Sequence, residues 1–153
     1  MNKYRKPFAV LTAGIVWFLA MMLFFGLSGA QSILANPDYQ SDKFLNAFIG
    51  EPLPRMAQNF IIFPIGLIFI GAVTAIIFCW LNERINYKWF KKGLIFGGIH
   101  WALLIPWFEF YLPFNVMHEP FLLVLLEMLL WLGVTLTLGI YLSFILNYKK
   151  NPE

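Results

Sequence analysis

Four long apolar runs set this chain apart from any water-soluble fold: Phe8 to Ala30, Gln58 to Leu81, Gly93 to Phe114 and Pro120 to Leu146. Crossing a hydrocarbon layer roughly 30 Å thick takes about 20 helical residues at ~1.5 Å each, and every run reaches that length. Inside lipid the backbone must satisfy its own hydrogen bonds, which leaves helices or a closed barrel. A barrel strand alternates polar and apolar residues over roughly 10 positions. The fourth run, "FLLVLLEMLLWLGVTLTLGIYLSFIL", is instead apolar on every side. The expected fold is therefore an all-α, polytopic integral membrane protein. Residues 1–153 form one domain of four transmembrane helices in an antiparallel bundle. Composition agrees, with 60% hydrophobic and 12% charged residues, about half the charge of an ordinary soluble domain.

The first run is read as a span and not as a cleaved signal, because its apolar core continues from Phe8 to Leu27, past the length of a signal core. Cys79 is the single cysteine, so no internal disulfide is expected. Orientation follows from Lys and Arg, which collect on cytoplasmic flanks. Lys3, Arg5, Lys6, Arg84, Lys88, Lys91, Lys92, Lys149 and Lys150 fall on one side, leaving Lys43 and Arg55 on the other. Both termini are expected in the cytoplasm, with the chain in the plasma (inner) membrane. The basic run "ERINYKWFKK" flanks two spans, as topology alone requires, and calls for no nucleic-acid partner. In the outer loop Ser41 or Asp42 can cap a short interfacial helix running to Gly50, with Phe44, Leu45, Phe48 and Ile49 on one side.

Against that background the stretch "WFEFYLPFNVMHEPFLLVLLEMLLW" is anomalous, since it sets Glu109, His118, Glu119 and Glu127 among apolar residues. Spans three and four form a tight hairpin whose tip lies near His118. Glu109 and Glu127 are each nine residues from that tip, which puts both at one depth on the order of 10 Å below it. A carboxylate facing lipid costs several kcal/mol, so both should turn inward and share one interior. Helical spacing aligns Glu109 with Gly98, Ala102 and Ile105, and Glu127 with Trp131, Val134, Thr135 and Leu138. Pro106 and Pro113 can kink span three and weaken the first alignment. Arg55, Gln58, Asn59, Gln31, Tyr111 and Asn115 lie at the same level, whereas the inner half offers little polarity. The expectation is a polar pocket opening outward and closed below by Trp107 and Trp131. Its ligand-binding residues would be Glu109, Glu127, His118, Glu119, Arg55, Asn59 and Trp131. The plainer account has Arg55 neutralise one acid while the other keeps its proton, because two close carboxylates cannot readily both ionise.

Two carboxylates and His118 make a ligand set compatible with Mn, Fe or Zn, and equally with a proton or an organic cation. The paired Glu-x-x-His motifs of di-iron bundles and the HExxH of zinc proteases are missing. Haem within one monomer is disfavoured, because His100 and His118 are separated by eighteen residues, roughly 27 Å of helix. His100 is expected to bond a carbonyl or Thr74. Gly93 and Gly97 form a GxxxG that can pack the monomer or build a homo-oligomer. No hydrolytic or phosphate-binding motif stands out, which points away from an enzyme. Two functions follow: an outward-facing acidic pocket for a cation, a proton or a small solute, or a non-catalytic accessory subunit of a larger membrane complex.

Overall fold

The computed structural model describes residues 4–49, 58–59 and 61–147. Four of its helices are long and apolar enough to span a membrane, over Arg5–Leu27, Pro64–Asn82, Trp89–Val116 and Phe121–Asn147. The chain is a multi-pass membrane protein. In order, α1 (Arg5–Met21) runs on as a π-helical turn, Met22–Leu27, followed by α2 (Ala30–Leu34), α3 (Asp42–Ile49) and α4 (Ile62–Asn82). Next, α5 (Trp89–Glu109) continues as π-helical Phe110–Val116 and turns into α6 (Phe121–Asn147). The first span stops short of Ala30 because Gly29, at φ +77°, takes a left-handed conformation that turns the chain into α2. The second begins later than Gln58, behind Asn59, whose Oδ1 accepts the Ile61 N–H at 3.2 Å. Ser41 heads α3 as expected, its Oγ accepting the Phe44 N–H at 3.1 Å.

Small residues decide which helices touch. A Cβ on Gly93 would stand 2.6 Å from the Ile140 Cα, and one on Gly97 would stand 2.7 Å from the Leu136 Cα, so α5 lies backbone to backbone on α6. The GxxxG thus packs within the chain. Gly14 of α1 presses on Ile68 of α4 in the same way. With α1 also against α6, the bundle order is α4, α1, α6, α5 around a core of Trp17, Phe78, Phe96, Leu138 and Leu142. The buried row of α5 runs Gly93, Gly97, Ile105, Glu109, a ridge spaced in fours. This corrects the stripe expected through Gly98 and Ala102: Ala102 is exposed and Gly98 meets no neighbour.

Between α4 and α5 the bundle stays open, leaving an apolar cleft of about 370 Å³ lined in part by Thr74 and His100. The His100 ring packs against Trp17 and Phe96, centroids 5.4 and 6.0 Å apart. Its Nδ1 is buried without a hydrogen-bond partner, so the expected bond from that atom to a carbonyl or Thr74 is not made. Aromatic packing, not hydrogen bonding, seats the ring.

The end of the bundle near the chain termini, expected to offer little polarity, is more polar than that. Asn147 Nδ2 donates to Asn82 Oδ1 and to the Ser143 carbonyl, each at 2.8 Å. Lys92 Nζ donates to the Asn82 carbonyl at 2.8 Å, and Ser143 Oγ to that of Trp89. These bonds tie the α4–α5 connection to the end of α6.

Candidate functional site

The turn between α5 and α6 gathers three acids. Pro106 and Pro113 each lack an N–H to give the helix, and past Glu109 the coil widens to π geometry. The Met117 N–H reaches back to the Leu112 carbonyl and the Glu119 N–H to that of Pro113, both at 2.9 Å. His118, at φ +60°, then reverses the chain. The reversal folds Glu119 inward beside the other two acids instead of leaving it on the rim.

Glu127 stands at the centre, its carboxyl group in contact with those of both Glu109 and Glu119. Trp131, one helical turn further along α6, reaches Glu109. Gln40, from the loop before α3, donates through Nε2 to Glu119 Oε1 at 2.7 Å and to the Leu34 carbonyl at 3.1 Å. Glu109 is 1% and Glu119 2% exposed. Both leave Oε2 buried without a hydrogen-bond partner. Among the described residues none of the three acids forms a salt bridge.

That geometry fixes the chemistry. A contact between two carboxyl groups is a hydrogen bond only when one of them carries a proton, so two such bonds among three acids require two protons. For Glu119, burial pushes the carboxyl up to about 7, the Gln40 amide holding it down and the Glu127 carboxyl raising it further. Glu119 therefore changes charge near neutral pH.

Other expected members stand elsewhere. His118 is exposed, with Nε2 at 3.0 Å from Lys43 Nζ, and does not join the acids. No group of three or more His, Cys, Asp or Glu among the described residues is arranged to hold a metal ion. Asn59 is exposed at the head of α4, and Arg55 lies outside the described residues. Trp107 does not close the pocket: it is 66% exposed and stacked on Tyr111, rings 5.3 Å apart. Trp131 does form a wall, packed on Trp17 and Phe25 at 5.9 and 5.1 Å. Gln40 was not expected, since a loop glutamine after a turn signal carries no periodicity that would place it.

Trp131 also borders a second space, a cavity of about 490 Å³ under α3 lined by Met22, Phe25, Gln31, Leu34, Phe44 and Leu45 among others. The loop leading into α3 is fastened over the hairpin tip, Ser41 Oγ donating to the Met117 carbonyl at 2.6 Å. Comparison with protein-family models, curated proteins and solved structures returns no match for this chain.

Proposed function

We propose that this protein sits in the plasma membrane with both termini in the cytoplasm, and that its acidic site takes up protons, or a cation in their place, from the outer side. The observation that supports the reading is the pair of carboxyl–carboxyl contacts that Glu127 makes, in a site with no salt-bridge partner among the described residues. A group placed only to fix helix register would be served as well by amides, whereas three acids demand ions that must come and go with pH. Such intramembrane ionisable groups are ordinarily functional.

Thermal stability in detergent between pH 5 and 8 tests the coupling. Glu109→Gln and Glu127→Gln each remove a partner from the same hydrogen-bonded cluster, so the double variant should depart from the sum of the singles by ~0.5 to 3 kcal/mol. Strict additivity at every pH would sink the shared site. Orientation is tested separately by single cysteines in a Cys79→Ala background. Only Asn46→Cys should react with an impermeant thiol reagent on intact cells, while Lys88→Cys and Asn151→Cys stay unlabelled; reaction at position 88 would reverse the topology. The rival reading, an accessory subunit of a larger membrane complex, draws on the open seam between α4 and α5. It expects additive carboxyl variants and a co-purifying protein.

A further inference from the structure

The carboxyl cluster and the cavity under α3 share one wall, and their chemistry is complementary. On one side Trp131 reaches the Glu109 carboxyl, and on the other it lines the 490 Å³ cavity. We propose that this cavity binds an amphipathic organic cation, its apolar body against Phe25, Phe44, Leu45 and Trp131 and its positive end in the field of Glu109, Glu127 and Glu119. The proposal rests on the reading of these acids as an outward-facing ionisable site and names what that site recognises.

Three observations select this ligand class. The volume falls within the ~300 to 1,000 Å³ of ordinary small-molecule sites, far above what a bare ion needs. The lining is aromatic and aliphatic, with Met21 and Met22 supplying adaptable thioethers and Gln31 the polar exception. It therefore has no oxygen cage for a metal ion, whereas ring faces attract organic cations. Finally, the buried Glu109 Oε2 lacks a partner, and two protons shared among three carboxyl groups leave the cluster behind the wall one negative charge. An anion would be repelled by that charge, and a neutral apolar molecule would leave it uncompensated. Entry is from the outer side, where α3 covers the cavity and is held to the turn by Ser41 and, at its exposed edge, by Lys43 against His118.

Tetraphenylphosphonium and tetraphenylborate, nearly equal in size and opposite in charge, test the proposal on the whole protein in lipid nanodiscs. The phosphonium should bind saturably and quench tryptophan fluorescence, and the borate should neither quench saturably nor compete. Ala35→Trp fills the cavity from the end of α2 without touching the acids, and Glu109→Gln removes charge without filling the cavity. Each should weaken phosphonium binding by roughly tenfold or more. Unchanged affinity in either variant, or equal binding of the borate, overturns the proposal. The carboxyl coupling measured by thermal stability is independent of the probe. If it persists while phosphonium binding fails, the proton-uptake reading stands and only the organic cation falls.

Discussion

Replacing Gly97 by leucine should leave no monodisperse protein in detergent, whereas the same replacement one residue later, at Gly98, should be nearly silent. The two glycines are neighbours on α5 and have equal propensity costs, so the contrast isolates packing. A Cβ at position 97 would lie 2.7 Å from both the Leu136 Cα and the Thr135 carbonyl oxygen, and backbone atoms cannot swing aside. At position 98 it would meet nothing within 4 Å. Forcing extra carbon into a packed interior commonly costs ~1 to 3 kcal/mol. Here the cost is larger, because the entire α5–α6 contact must separate and lipid supplies no hydrophobic drive to restore it. Size-exclusion profiles and melting temperatures of the two variants provide the measurement. If Gly97→Leu elutes and melts like Gly98→Leu, the backbone contact does not hold the hairpin.

The second large effect is on pH. Melting temperature should fall as pH rises from 5 to 8, and Glu119→Gln should flatten part of that fall. Burial raises the Glu119 carboxyl from 4.5 to about 7 in the folded protein. Below 4.5 both states carry the proton and nothing is lost. Above it the unfolded chain ionises first, so stability declines until the folded carboxyl also ionises near 7 and the loss levels off. At ~1.4 kcal/mol per pKa unit the whole effect is on the order of 3 kcal/mol at most. Glutamine keeps the shape and can still bond Gln40, which makes it a fair control. Parallel curves for parent and variant would show that Glu119 does not titrate in this range.

Much of this was legible in the chain because membrane spans obey one simple length rule. The meeting of Glu109 and Glu127 was legible too, since counting outward from a hairpin tip gives depth without any knowledge of packing. Three features escaped for identifiable reasons. Glu119 is among the expected pocket residues, but the inward turn that buries it depends on the coil widening past Glu109 and on the positive φ of His118, and neither leaves a periodic trace. The rotation of α5 that buries Gly97 and exposes Ala102 and Trp107 depends on which ridge α6 accepts, a property of two helices together. Asn82, Ser143 and Asn147 lie near helix ends with no spacing that would pair them. Their bonding becomes visible only when residues 65 apart in sequence meet.

The two π-helical turns, Met22–Leu27 and Phe110–Val116, lie at the same end of the bundle, away from the termini, and both contact α6. A widened coil holds its backbone less tightly than α-helix, and here it sits opposite an inner end riveted by interlocked glycines and by the Asn82–Asn147 network. The molecule is thus stiff at the end that carries its termini and more loosely wound at the opposite end, like tongs joined at the handle. Breathing that admits an ion or a larger cation would spread the outer third while the base keeps its seal. A path across the whole membrane would need the rivets themselves to fail.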